Sequence, residues 1–144
     1  MGATVGLQIG KAIFYILKNN NNVTSVIGMS ASKIQPAPLK EQGDIITALT
    51  YQVDAVNPIN IKNEGLESTA PIYIVDFTIE CIGNKYSNCN NLAMKVSEAL
   101  QESPNGTYNT IKINGITLQS ASEDYNRARK YYNNSLSFQA RVLL

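Results

Sequence analysis

The chain has no histidine and no tryptophan among its 144 residues, and it has two cysteines. Without histidine there is no side chain that ordinarily titrates near neutrality. The Ser-His and Cys-His nucleophile pairs are gone, and so is the commonest zinc ligand. The cysteines, Cys81 and Cys89, fall in different predicted elements and form no C-x-x-C pair. They read as reduced structural thiols of a reducing cytosol rather than a disulfide framework. An excess of one charge is also lacking: 12 basic and 11 acidic residues leave a net charge of +1. No global field therefore draws the chain to nucleic acid or to an acidic surface. No run approaches the ~20 continuous apolar residues of a membrane span. Lys11 interrupts the first apolar run and no cleavage-type site follows it, so no cleavable leader is expected. The expectation is a soluble protein made in the cytosol.

What is present is enough for one domain over residues 1–144. A chain of this size can bury roughly two-thirds of its unfolded surface in a single core, with no metal or disulfide required. Residues 4–19 place Val5, Ile9, Ala12, Ile13, Ile16 and Leu17 at three- and four-residue spacing, the stripe of an amphipathic helix, with Thr4 as its expected N-cap. Gly6 and Gly10 each cost such a helix up to ~1 kcal/mol relative to alanine, so it needs a tertiary partner. The four asparagines at 19–22 are expected to end it. A short strand is expected around 32–35, and Pro36 and Pro38 then impose an extended, irregular path.

From Ile45 the pattern alternates: Leu49, Tyr51, Val53 and Ala55 on one side, Thr50, Gln52 and Asp54 on the other. A second alternating run puts Tyr73, Val75, Phe77, Ile79 and Cys81 opposite Asp76, Thr78 and Glu80. The two runs match in length and pattern, which favours an antiparallel pair joined by a polar loop over 57–70. Residues 87–103 form a second amphipathic helix with Cys89, Leu92, Ala93, Val96, Ala99 and Leu100 along one stripe, stopped by Ser-Pro-Asn-Gly at 103–106. Asn114-Gly115 between two short alternating runs predicts a hairpin turn. A final strand carries Leu136, Phe138, Ala140 and Val142 on one face. One-sided strands and two striped helices predict an α+β fold: an antiparallel or mixed β-sheet with two amphipathic helices packed on one face.

The search for chemistry finds little. The acidic pairs Glu64/Glu67 and Glu123/Asp124 could serve glycoside hydrolysis or hold a divalent cation. Each is expected in a polar loop with no third ligand cluster beside it, and so reads as solvated charge. The dense basic stretch 127–130, with Arg127, Arg129 and Lys130, precedes Tyr131 and Tyr132. That combination can hold single-stranded nucleic acid, but also suits a charged turn or a protein contact. No phosphate-binding glycine motif occurs. Tyrosines are numerous, and any exposed subset suits an interface. No catalytic, cofactor or metal site is assigned.

The layout as a whole resembles the tail-terminator and tail-completion proteins of long-tailed phages, the minor tail-component and head–tail joining family. The stretch "LTYQVDAVNPINIKNEGLESTAPIYIVDFTIECIGNKYSNCNNLAMKVSEAL" is similar to the family's core of strand, polar loop with glycine, alternating strand and helix. "INGITLQSASEDYNRARKYYNNSLSFQARV" resembles its closing section, and the first helix followed by two prolines fits as well. The resemblance implies a non-enzymatic virion protein at the tail or neck, assembled in the host cytoplasm as a ring, usually a hexamer. Such a ring caps the tail tube, stops its polymerisation and presents a face to the head–tail connector proteins. It implies no cofactor and no membrane, and DNA only by passage through the ring. Ring subunits meet head to tail through two different patches. Ile59, Ile61, Glu64, Leu66 and Glu67 of the 57–70 loop are the candidate contacts to a neighbour or to the tube. Glu123, Asp124, Arg127, Arg129 and Lys130 are a candidate charged contact turn. A head-completion ring beneath the portal is the near alternative. A small nucleic-acid-binding domain using Arg127, Arg129 and Lys130, and a histidine-free enzyme using Glu123 and Asp124, are rivals from other classes.

Overall fold

Alternation of apolar and polar side chains fixes the central strand. Tyr73, Val75, Phe77, Ile79 and Cys81 are all buried, while the residues between them, from Ile74 to Glu80, are half-buried. This strand lies in the middle of a sheet in the computed structural model, which describes residues 2–26, 34–36, 47–59, 72–102, 105–108, 111–128 and 130–143. In chain order the elements are α1 (Gly2–Lys18), α2 (Asn21–Val26), β1 (Ile34–Pro36), β2 (Thr47–Ile59) and β3 (Ile72–Gly83). They continue with α3 (Tyr86–Glu102), β4 (Asn105–Tyr108), β5 (Ile111–Asn126) and β6 (Tyr131–Leu143). Among the described residues the sheet has six strands in the order β1-β2-β3-β6-β5-β4. Only β1 with β2 is parallel; the other neighbours are antiparallel. The fold is α+β with a mixed sheet.

Register and packing place the two long helices on one face. Leu49 pairs with Cys81, Tyr51 with Ile79 and Val53 with Phe77, which puts these six side chains on a common side. Across β6, Phe138 lies opposite Phe77, the rings stacked 5.4 Å apart at 16°. On this side Phe14 of α1 packs against Tyr51, with ring centroids 6.3 Å apart. Cys89 of α3 donates from Sγ to the Cys81 carbonyl at 3.1 Å. The stripes read from sequence are the buried ones: Ile9, Ala12, Ile13, Ile16 and Leu17 in α1, and Cys89, Leu92, Ala93, Val96, Ala99 and Leu100 in α3. Gly83 lets the end of β3 approach the first turn of α3. A Cβ there would come within 3.2 Å of the Cys89 amide nitrogen.

Several local expectations are corrected by longer-range structure. The first helix begins at Gly2, so Thr4 lies inside it and is not its cap. The asparagine run ends α1 but also starts α2, a helix not read from sequence. Asn20 Oδ1 accepts from the amides of Asn22 (3.0 Å) and Val23 (3.2 Å), an N-cap. The expected strand around 32–35 is β1, and Pro36 belongs to it.

In β2 a bulge at Asp54 shifts the register, so that Val56 pairs with Val75 and Pro58 with Tyr73. Val56 thus joins the core face that alternation had assigned to Ala55, because one extra residue reverses which side follows. The strand also runs through Asn57 and Pro58 to Ile59, positions expected to open the loop.

Asn114-Gly115 is not a hairpin turn. It is a bulge inside the single strand β5, where two residues span the step from Ile113↔Val142 to Ile116↔Ala140. Gly115 has φ +134°, backbone that a side chain disfavours. The hairpin it was expected to close is instead β4–β5, pairing Asn105 with Asn114 and Tyr108 with Ile111. Glu123 and Asp124, expected in a loop, lie in β5 opposite Asn134 and Asn133.

Candidate interaction surface

The sequence-derived contact residues separate into two places. Ile59 ends β2. Ile61, Glu64, Leu66 and Glu67 lie outside the described residues. At the other end of the sheet β5 and β6 continue as a hairpin, with β6 still paired to β3 as far as Tyr132. Residues 119–125 are exposed, and the hairpin closes through a turn containing the exposed Arg127 and Lys130. Lys130 takes φ 57°, and its amide donates to the Asn126 carbonyl at 2.8 Å. Arg129 lies outside the described residues. The basic stretch is therefore a charged turn, with Glu123 and Asp124 on the strand leading into it.

These two carboxylates have different partners. Neighbours along a strand point to opposite sides. Glu123 accepts from the hydroxyl of Tyr86, at 3.0 Å to Oε1 and 3.2 Å to Oε2. Asp124 Oδ1 accepts from the Tyr125 amide at 2.8 Å. The Tyr86 phenol is held above its ordinary value of 10.0, first by the hydrogen bond to Glu123 and then by that carboxylate's charge. Tyr86, Tyr125 and Tyr132 cluster here. The Tyr86–Tyr132 centroids are 5.6 Å apart edge to face, and the Tyr125–Tyr132 centroids are 4.8 Å apart. With Glu123, Asp124 and Asn133 they line a cleft of about 320 Å³. Asn133 Oδ1 is buried without a hydrogen-bond partner.

A larger groove of about 550 Å³ continues from this cleft between α3 and β5, with Glu123 and Asn134 lining both. Its apolar walls are Ala93 and Met94 on α3 and Leu118, Ala121 and Leu136 on the sheet. Met94 is 54% exposed, among the most exposed large apolar side chains in the described residues. Glu98 adds a second carboxylate and forms an ion pair with Lys95 at 3.8 Å. The bulge at Gln119 builds this surface, because it brings Ala121, Glu123 and Tyr125 into register with Leu136, Asn134 and Tyr132 on the helix-bearing face.

Cys89 sits at the inner wall of the cleft, hydrogen-bonded to the buried Cys81. Cys89 Sγ also accepts from Asn134 Nδ2 at 3.5 Å. Burial pushes the Cys81 thiol well above its ordinary 9.0, with further increments from Cys89 and Glu80. Burial raises Cys89 too, partly opposed by its hydrogen bonds with Asn134. Among the described residues no three acidic or thiol ligands gather as a metal centre. No described helix is long and apolar enough to cross a membrane.

The sequence matches no family model, and no curated protein matches it. A solved structure does match, over 98% of this chain and 97% of that one, with TM-score 0.68 and 16% identity. That structure is the virion of a native gene transfer agent particle. The two chains share a fold. Coverage that is nearly complete in both directions means the whole layout is shared, from α1 through the β5–β6 hairpin.

The groove itself was not read from sequence. The available signal was 119–124, a strand-length run with no apolar alternation. Only the pairing with β6 shows that such a run continues the sheet.

Proposed function

We propose that the chain is a non-enzymatic structural protein of a phage-like virion. It assembles as a ring at the head–tail junction, caps the tail tube and stops its polymerisation. The observation that carries this reading is the fold shared end to end with a chain of a gene transfer agent virion. The composition supports it: with no histidine and near-zero net charge, the chain is better suited to fitting surfaces than to acid–base work.

Ring closure through a head-to-tail contact needs two unlike patches on each subunit. The candidates are the β2–β3 end at Ile59 and the charged turn at Arg127 and Lys130 that closes the far β5–β6 hairpin. The function is steric: one ring face matches the tube end and the other offers no site for another tube subunit. Light scattering of the purified chain, with and without purified tail tube protein, tests this. A discrete ring mass and tubes that stop growing are expected. A chain that stays monomeric at high concentration and leaves tube length unchanged would overturn it.

The same virion fold also suits a head-completion ring beneath the portal. The two roles separate by partner: co-purification with tubes supports the cap, and co-purification with tail-less capsids supports the connector.

A further inference from the structure

We propose that the outer edge of β5 and the groove beside it are a strand-addition site for an extended, basic segment of a partner protein. Four features of one surface converge on it. The first is an open edge. β4 pairs with β5 only as far as Asn114, and among the described residues no strand pairs with 116–126 on the side away from β6. Amides and carbonyls between Ile116 and Asp124 that no described strand pairs on that side are a template for one more strand.

The second is that proline interrupts the opposite sheet edge and not this one, although β5 carries a bulge of its own at Gln119. Pro36 sits in β1, and β2 beyond its pairing with β1 carries the Asp54 bulge and Pro58. Proline and bulges both blunt an edge. Residues 116–126 contain no proline and no lysine.

The third is the groove. A strand added to β5 sends alternate side chains toward α3, where Ala93, Met94, Leu118 and Leu136 offer apolar walls. Main-chain pairing then supplies affinity, and the groove supplies selectivity at alternate positions.

The fourth is charge. Glu98, Glu123 and Asp124 border the groove and cleft, and no lysine or arginine does so among the described residues. At the cleft end three tyrosines and a carboxylate surround space suited to a guanidinium or ammonium group. The occupant is therefore extended, apolar at alternate positions, and carries Arg or Lys where it reaches Tyr86, Tyr125 and Tyr132. This assignment does not depend on which ring the chain forms.

The test uses the full chain and a synthetic peptide of about nine residues, a usual strand length, that alternates valine and threonine with arginine in place of the valine at each end, so that apolar and basic side chains share one face. Its counterpart with glutamate at the same two positions is the control. Saturation with the arginine peptide is expected to slow amide hydrogen exchange along 116–126. The glutamate peptide should bind at least about ten-fold more weakly, since like charges face each other. Met94→Arg places a cation in the groove at an exposed position, so folding is retained while arginine-peptide affinity falls about ten-fold. Equal binding of both peptides, unchanged affinity in Met94→Arg, or binding that leaves 116–126 unprotected would each overturn the proposal. Protection of 116–126 by self-association of the free chain would also overturn it, assigning the edge to a second copy.

Discussion

The Tyr86 hydroxyl donates to the Glu123 carboxylate at 3.0 Å, joining the first residue of α3 to a strand position 37 residues further along the chain. This bond closes the tyrosine cleft and is the main reason the Tyr86 phenol resists ionisation. Glu123→Gln removes the charge and weakens the acceptor, so the Tyr86 pKa should fall toward its ordinary 10.0. Phenolate absorbance against pH reads this directly. Asp124→Asn, which leaves the bond intact, should not move it. An unchanged Tyr86 titration in Glu123→Gln would show that the contact does not form in solution.

The Phe77–Phe138 pair stands at the centre of the sheet, and both rings are buried. Phe138→Ala should cost about 3–5 kcal/mol in chemical denaturation, the usual range for deleting a buried aromatic. A double-mutant cycle with Phe77→Ala should leave a coupling of about 0.5–1.5 kcal/mol. A loss well below that range would mean the helices do not seal this part of the sheet.

Asn20→Ala removes the side-chain acceptor for two amides at the start of α2 and should destabilise the chain by about 1 kcal/mol. Asn20→Gly should cost only a few tenths of that on the same scale. If both variants melt alike, the cap is not what starts α2.

Gly115→Ala should cost about 1–3 kcal/mol although nothing lies within 4 Å of the added Cβ. The cost is conformational, arising from φ +134°, so no compensating space-filling change should rescue it. Neighbouring Asn114→Ala should be tolerated. Thermal melting of the two variants separates backbone strain from crowding.

The thiols make a prediction at alkaline pH. An unfolded Cys81 loses its proton near 9.0, whereas the buried thiol keeps it to a much higher pH. Between those values the folded state holds the extra proton. The contribution is fully present below 9.0 and is lost as pH rises toward the folded value. Denaturant midpoints should therefore fall on the alkaline side, and an alkylating reagent at neutral pH should label neither cysteine until the chain unfolds. Fast labelling of Cys81 in the native state would contradict the buried position.

Much of the layout was legible because it follows from side-chain period alone. The stripe from Ile9 to Leu17, the stripe from Cys89 to Leu100, and the alternation through Tyr73–Cys81 and Leu136–Val142 each name a buried face. Faces that must be buried together leave few arrangements, hence a sheet under two helices. Asn114-Gly115 misled because the φ > 0 signal of a hairpin turn also serves a bulge. Nothing local distinguishes a strand that turns from one that continues.

The sequence by itself determined which residues avoid water, and it withheld histidine chemistry, because both depend on residue type and spacing. Tertiary structure alone decided the parity of the strands beyond each bulge: that Val56 faces inward, that Glu123 meets Tyr86, and that Tyr125 meets Tyr132 beside α3. One inserted residue reverses every side chain after it. Whether a residue counts as inserted is set by the partner strand, through the hydrogen bonds of β3 and β6, and not by the bulged strand itself.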